Sequence, residues 1–170
     1  MKIIAVNDTN IIIDLFNIGL LDLFFSSDIE LHTTDFVLDE LTDKEQLKAI
    51  NSYISAQKLK VKSFSGEELA KLFEFAYSQS SNVSPTDCSV WQYAQENSYT
   101  LLTGDGNLRR DAQKNGVTVR GVLFVFDYLT DCGLLSYDLA IAKLKELLSG
   151  NIRLPKTACT ERLDKWSKMV

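Results

Sequence analysis

Short apolar runs alternate with longer amphipathic stretches along the chain, and this alternation predicts its secondary structure. The first run, residues 3–6, is rich in β-branched side chains and is typical of a short strand buried on both faces. Four later runs, at 29–33, 59–64, 99–103 and 117–119, predict further strands. Strands that alternate with helices favour an α/β domain with a mostly parallel sheet.

Helix start and stop signals occupy the stretches between and after these strands. The most complete start combines Ser84 as the helix cap, Pro85 at the first helical position and Asp87 at the capping-box position. Signals of this kind predict helices over 9–17, 35–41, 44–56, 66–78, 85–97, 107–115, 122–132, 136–149 and 157–169. No linker or repeat divides the chain, so we expect one domain over residues 1–170, in which 136–170 form a C-terminal helical extension.

The composition narrows the class of protein. With 170 residues, 45% of them hydrophobic and 24% charged, the chain has the balance of an ordinary globular domain. No apolar run reaches the roughly 18 residues of a membrane-spanning helix, and the N-terminus lacks the features of a signal peptide. Three widely separated cysteines indicate reduced thiols in a cytoplasmic protein, and a single histidine excludes a zinc site of the HExxH type.

Charge is distributed unevenly along the chain. The net charge of −5 argues against a surface that is basic throughout, but residues 1–100 carry 7 basic and 15 acidic residues, whereas 101–170 carry 11 and 8. This division allows a cation site in the first part beside a path for a polyanion in the second. Arg109, Arg110 and Arg120 are the candidates to bind phosphate groups, and a solvated basic face is the alternative.

Four acids occupy positions at which carboxylates commonly do chemistry. Asp8 and Asp105 each follow a predicted strand, and the carboxyl ends of parallel strands share the edge of the sheet where ligands bind. Asp87 and Glu40 lie on the predicted core-facing sides of their helices, where an acid needs a partner. Carboxylates that converge repel one another unless a cation balances them. Oxygen ligands without histidine indicate Mg²⁺ or Mn²⁺.

The same acids also have purely structural interpretations. Asp8 can cap the helix that follows it, Asp87 completes a capping box, and Asp105 lies in a Gly-Asp-Gly turn. Asp14 and Asp35 are interpreted as solvated or capping acids, outside the site. Spacing alone does not separate the structural roles from the chemical ones.

Taken together, several segments resemble the PIN domain. They are Asp8-Thr9-Asn10 after a strand, Glu40 in an early helix, the helix start Ser84-Pro85-Thr86-Asp87, and the turn Thr103-Gly104-Asp105-Gly106-Asn107. Their order and spacing agree over nearly the whole chain. The segment Arg120-Gly121-Val122-Leu123 also resembles a prokaryotic PIN group related to VapC toxins.

The resemblance implies a fold and an activity. The fold would be a three-layer, Rossmann-like α/β/α sandwich around a mostly parallel sheet of about five strands. The activity would be that of a metal-dependent endoribonuclease, with RNA as substrate, Mg²⁺ or Mn²⁺ as cofactor, and a role as the toxin of a toxin–antitoxin pair. An antitoxin protein and a second copy of the chain are the protein partners to expect, with no membrane involved.

The resemblance also assigns roles to individual residues. The catalytic acids would be Asp8, Glu40, Asp87 and Asp105, of which all but Glu40 would hold the metal. Nearby polar side chains would hydrogen-bond these ligands or the phosphate, namely Thr9, Asn10, Thr103 and Asn107. Asn107 stands where the family often has another aspartate, and the helices beyond residue 136 make this chain longer than the compact toxins.

Two other functions stay open from the sequence. A haloacid-dehalogenase-like phosphatase would use Asp8 as its nucleophile, but that family has a second aspartate two residues later, where this chain has Asn10. A PIN-fold protein that has lost catalysis and serves as an RNA- or protein-binding module agrees with Asn107 and with the acidic net charge.

Overall fold

Five short strands form one sheet in the computed structural model, which describes residues 2–79 and 82–170. The strands are β1 Ile4–Asn7, β2 Glu30–Thr34, β3 Leu59–Lys62, β4 Thr100–Leu102 and β5 Val119–Arg120. Their spatial order is β3-β2-β1-β4-β5, and each neighbouring pair runs parallel. The predicted parallel sheet of about five strands is therefore confirmed.

Helices cover both faces of this sheet. The strand order reverses its direction at β1, so right-handed crossovers place the helices of the two halves on opposite faces. The result is the expected three-layer α/β/α sandwich. The helices are α1 Thr9–Asn17, α2 Leu21–Ser26, α3 Asp35–Glu40, α4 Lys44–Ser55, α5 Gly66–Ser78, α6 Pro85–Asn97, α7 Gly106–Lys114, α8 Val122–Asp131, α9 Tyr137–Gly150 and α10 Lys156–Ser167.

The central strand β1 determines where the candidate site lies. Val6 is opposite His32 of β2 on one side and Leu101 of β4 on the other. Beyond the strand, the backbone N–H of Asp8 donates to the carbonyl oxygen of Leu102 at 3.0 Å. The residues that follow β1 and β4 therefore emerge side by side at the carboxyl edge of the sheet.

Helix α2 is absent from the sequence prediction. Its buried residues Leu21, Phe24 and Phe25 have the spacing of a helix face, but a segment this short does not predict a helix by its period alone. Gly19, with a φ of +70°, ends the first helical stretch and lets the chain turn before α2 begins. Phe24 and Phe25 are then both buried.

The last strand begins two residues later than the pattern predicts. Gly116 has a φ of +80°, and the N–H of Val117 donates to the carbonyl oxygen of Ala112 at 3.1 Å. This hydrogen bond satisfies a carbonyl at the end of α7. Val117 therefore belongs to the helix end, and the strand is Val119–Arg120.

The C-terminal helices are part of the hydrophobic core. Trp166 of α10 is fully buried and stacks on Phe126 of α8, with ring centroids 6.0 Å apart. On the same two helices, the guanidinium of Arg162 donates to both carboxylate oxygens of Asp127. Helices α9 and α10 therefore pack against the rest of the chain through apolar and ionic contacts.

The cysteines are all free thiols, and their burial differs. Cys88 and Cys159 are buried, whereas Cys132 is exposed. Burial raises the pKa of Cys88 to about 12, so this thiol stays protonated at neutral pH. In residues 2–79 and 82–170, no helix combines the length and the apolar character needed to cross a membrane.

Replacing Trp166 with alanine should lower the free energy of unfolding by about 3–5 kcal/mol, because a large ring is removed from the core. Urea denaturation of the full chain measures this loss. Lys168→Ala, at an exposed position just beyond the same helix, is the control and should change stability by less than about 0.5 kcal/mol. Equal midpoints for Trp166→Ala and the wild type would show that α10 does not contribute to the core.

Candidate functional site

All four acids that the sequence singles out line one open cavity at the carboxyl edge of the sheet. They are Asp8, Glu40, Asp87 and Asp105, and the cavity has a volume of about 260 Å³. The first follows β1, the second ends α3, the third lies in the first turn of α6, and the last precedes α7. The fold thus brings together acids that are separated by as many as 97 positions in the sequence.

Asp8 is the most constrained of the four acids. It is buried, and its Oδ1 accepts a hydrogen bond from the backbone N–H of Thr9 at 2.8 Å. Its Oδ2 accepts from Asn10 Nδ2 at 2.7 Å and from Thr103 Oγ1 at 2.6 Å. Three donors, two from the start of α1 and one from the loop after β4, therefore fix the orientation of this carboxylate.

Burial raises the pKa of Asp8 to about 6, from an ordinary value of 3.8. Hydrogen bonds from Thr103 and Thr9 act in the opposite direction, because they stabilise the charged form. The negative charges of Asp87 and Glu40 raise the pKa further. The buried carboxylate therefore holds its proton more tightly than an exposed one does.

Asn10 ties the start of α1 to the loop after β4. While its Nδ2 donates to Asp8, its Oδ1 accepts the backbone N–H of Gly104 at 2.7 Å. A Cβ at position 104 would lie 3.2 Å from that Oδ1, which explains a glycine at this position. The N–H of Asp105 donates to Thr103 Oγ1 at 3.0 Å, so the same loop also positions the fourth acid.

Asp87 and Asp105 each take part in capping a helix and also line the cavity, so both interpretations of the sequence apply to them. Asp87 Oδ2 accepts the N–H of Ser84 at 2.8 Å, which completes the predicted capping box. Asp105 Oδ1 accepts the N–H of Leu108 at 2.8 Å and caps α7. Burial raises the pKa of Asp87, and the charges of Asp105 and Glu40 add to the rise. Capping uses only one oxygen of each carboxylate.

Glu40 reaches the cavity from an exposed position, which corrects the expectation that it lies on a buried helix face. It is the last residue of α3, which leaves its side chain free of the core. Its Oε2 accepts a hydrogen bond from Thr9 Oγ1 at 2.6 Å. Thr9 thus holds Glu40 with its hydroxyl and Asp8 with its backbone N–H.

Asp14 lines the same cavity, and the expectation that it is solvated or caps a helix is wrong. It is buried, and its Oδ2 accepts a hydrogen bond from Asn151 Nδ2 at 2.9 Å. Burial raises its pKa, while the charge of Arg153 and the Asn151 hydrogen bond oppose the rise. The four-residue spacing from Asn10 along α1 is the signal that places Asp14 on the site-facing side.

The other residues considered from the sequence do not line the acidic cavity. Asn107 is half-buried in the first turn of α7, and its side chain neither lines the acidic cavity nor hydrogen-bonds an acid within the described residues. Asp35 accepts the N–H of Phe36 at 2.9 Å and acts locally, as expected. Arg109 and Arg120 line a neighbouring cavity, whereas Arg110 points away and pairs with an acid on its own helix.

The acids present the right donor chemistry for a hard cation, but not a finished ligand set. Across residues 2–79 and 82–170, no three Asp, Glu, His or Cys side chains are placed to hold a metal ion as they stand. Within the same ranges, one oxygen each of Glu40, Asp87 and Asp105 accepts no hydrogen bond and remains available to a ligand. Mg²⁺ commonly keeps several waters and takes only one or two carboxylates directly, so this set of donors fits it.

The fold and the cavity together define a class of protein, a parallel α/β domain with a carboxylate-lined cleft at the carboxyl edge of its sheet. Residues 4–168 match the family DUF3368, which is a PIN domain family. The chain therefore belongs to the PIN domain family, as the sequence motifs indicate. PIN domains are generally nucleases and typically use divalent metals.

One solved structure is also similar to this chain. A PilT N-terminus domain protein, SSO1118 from the hyperthermophilic archaeon Sulfolobus solfataricus P2, is similar over 71% of this chain and 87% of its own. Its sequence identity to this chain is 16%, and the TM-score is 0.43. No curated protein matches the chain.

The metal-free protein should lose stability as the pH rises from about 4 to above 6. The pKa of Asp8 is about 6 in the folded state and 3.8 ordinarily, so the native state binds this proton more tightly than the unfolded state does. Above this interval the free energy of unfolding should be lower by roughly 3 kcal/mol on account of Asp8 alone.

Urea unfolding in EDTA at several pH values tests this expectation. Asp8→Asn should lack this part of the pH dependence, while the other raised acids, Asp14 and Asp87, titrate in both proteins. The difference between the two curves isolates Asp8. Parallel curves for the wild type and the variant would show that Asp8 does not hold a proton in this range.

Proposed function

We propose that this protein is a metal-dependent endoribonuclease of the PIN type that hydrolyses phosphodiester bonds in RNA. The observation that supports the proposal most strongly is the cavity lined by five carboxylates, in which Asp8 is buried and three of the others keep an oxygen available. Family membership supports nuclease chemistry in general. The choice of RNA rests on the resemblance to the prokaryotic PIN group.

In this proposal, Asp8, Asp87 and Asp105 hold Mg²⁺ or Mn²⁺, directly or through water. A divalent ion held there would supply Lewis-acid chemistry, lowering the pKa of a nearby water and offsetting charge on the reacting phosphate. Glu40 orients the attacking water or accepts its proton through its free oxygen, while Thr9 holds the other oxygen of Glu40 in place.

The polar residues around the acids act by positioning. Thr103 and Asn10 keep the carboxylate of Asp8 turned toward the cavity. Because Asn10 also holds the N–H of Gly104, a shift of either loop would move Asp8 and Asp105 together. Such supporting hydrogen bonds typically affect metal affinity or activity by about 10–100-fold.

A toxin role belongs to the same proposal, with a cytoplasmic location, an antitoxin partner and a homodimer. Expression of the wild type should then arrest growth of a bacterial host, and Asp8→Asn should not. Growth that is the same for both proteins would leave a nuclease that is not a toxin. A neighbouring open reading frame whose product relieves the arrest would identify the antitoxin.

The two alternative functions fare differently. A haloacid-dehalogenase-like phosphatase needs a second carboxylate two residues after Asp8, but Asn10 stands there and donates its amide to Asp8. Because the chain belongs to the PIN domain family, we do not retain that alternative. A binding module without catalysis stays as the outcome to expect if no RNA is cleaved.

Asp8→Asn and Asp105→Asn should each reduce cleavage by more than about 100-fold while leaving the fold intact or more heat-stable. Loss of a ligand should exceed the effect of losing a supporting hydrogen bond, and removal of one carboxylate relieves repulsion in the metal-free state. Cleavage of mixed RNAs and matched DNAs with Mg²⁺ or Mn²⁺ measures the activity. Asp35→Asn is the matched control, because Asp35 lies outside the cavity.

Metal should raise the melting temperature of the wild type, because an ion that binds only the native state stabilises it. At about 100 times the dissociation constant, the gain should be about 2.7 kcal/mol. The shift should be absent in Asp8→Asn and present in Asp35→Asn. Full cleavage by both Asp8→Asn and Asp105→Asn would remove these residues from the proposed metal site.

A further inference from the structure

A second and larger cavity adjoins the acidic one. Its volume is about 680 Å³, within the range of about 300–1,000 Å³ that is usual for ligand sites. It lies between α7, α8 and the connection from α9 to α10. Asp14 and Arg153 line both cavities, so a ligand in the larger one would lie next to the four acids.

One wall of the larger cavity is cationic, and two of its guanidinium groups lack an anionic hydrogen-bond partner. Arg162 is already paired with Asp127. By contrast, Arg120 and Arg153 donate no hydrogen bond to an acidic side chain within the described residues, and both are exposed. Arginines with free donor groups beside a cavity suit a phosphate, because their planar forks match its oxygens.

The backbone makes room for a third arginine in this wall. Arg109 donates from Nη2 to the carbonyl oxygen of Thr103 at 3.0 Å. A Cβ at Gly121 would lie 2.8 Å from that nitrogen, so the glycine leaves space for the guanidinium of Arg109 in this position. Burial lowers the pKa of Arg109, and the nearby positive charge of Arg120 adds to the decrease, so these two guanidinium groups lie near each other.

Another part of the lining is apolar. It is formed by the start of α8 and by the segment before α10, and it includes the half-buried ring of Phe124 together with Leu154 and Pro155. An aromatic ring with apolar side chains beside it is suited to stacking against a nucleobase, because every base has an apolar face. The cavity therefore offers a charged side and a stacking side to the same ligand.

We propose that the larger cavity binds one nucleotide of the RNA strand, next to the phosphate that is cut. Its phosphate lies against Arg120 and Arg153, and its base lies against the wall of Phe124 and Leu154. This proposal rests on the proposed nuclease function and adds a site for the flanking nucleotide, formed in part by the C-terminal helices.

Binding without cleavage tests the site. The full-length protein is titrated in EDTA with a fluorescent ten-nucleotide single-stranded RNA, and adenosine 5′-monophosphate, adenosine and inorganic phosphate serve as competitors. Arg120→Ala should weaken RNA binding by about tenfold, the usual effect of losing a charged hydrogen bond. The slope of affinity against salt should fall by about 1. The monophosphate should compete better than either adenosine or phosphate.

Arg110→Ala is the matched control, because Arg110 is exposed on α7, pairs with Asp111 and does not line the cavity. It should bind RNA as the wild type does. Phe124→Leu, which keeps an apolar side chain, should weaken competition by the monophosphate more than competition by phosphate. Circular dichroism of each variant verifies the fold.

Three results would overturn the proposal. Equal RNA affinities for Arg120→Ala and the wild type would remove the cavity from the RNA path. Equal losses in Arg120→Ala and Arg110→Ala would show a general basic surface. Competition by an acidic peptide as strong as that by the monophosphate would identify a protein partner instead.

The nuclease proposal is judged separately, by cleavage in the presence of metal. RNA that binds in this cavity but is never cut would contradict the nuclease function and leave the nucleotide site standing. If Arg120→Ala cleaves and binds RNA as the wild type does, the nucleotide site is contradicted and the nuclease function stands.

Discussion

The hydrogen bonds to the buried carboxylate of Asp8 are the interactions on which the rest of the candidate site depends. Asn10 at the start of α1 and Thr103 in the loop after β4 donate to the same oxygen. A parallel sheet makes this convergence possible, because it delivers the carboxyl ends of its strands to one edge. Without these donors, a carboxylate this deeply buried would be too costly to keep. The position of Asp105 follows from the same loop.

This arrangement leaves the cavity with more negative charge than its surroundings balance. Burial is the main cause of the raised pKa of Asp8 and of Asp87, and the neighbouring carboxylates add to it. Such a cluster opposes stability in the metal-free protein, and perturbed acids of this kind concentrate at functional sites. The charge of Arg153 acts on Asp14 at the rim and so offsets only part of the repulsion.

The C-terminal helices link stability to the chemistry of the site. Trp166 anchors α10 in the core, and the connection before α10 carries Asn151 and Arg153 to the edge of the acidic cavity. The same connection forms one wall of the larger cavity. Packing of the last helices therefore decides which surfaces face a substrate.

The sequence by itself determines the parallel α/β class, most helix bounds and the four acids, because each depends on local signals such as β-branched runs, the capping box that contains Asp87, and residues directly after strands. It does not determine that Glu40 is exposed, that Asp14 hydrogen-bonds Asn151, or that the short segment 21–26 forms α2. Asp14 meets Asn151 across 137 positions of the chain. Only the tertiary structure decides such contacts, because they depend on how the last helices fold back onto α1 and α8, and no local pattern encodes that packing.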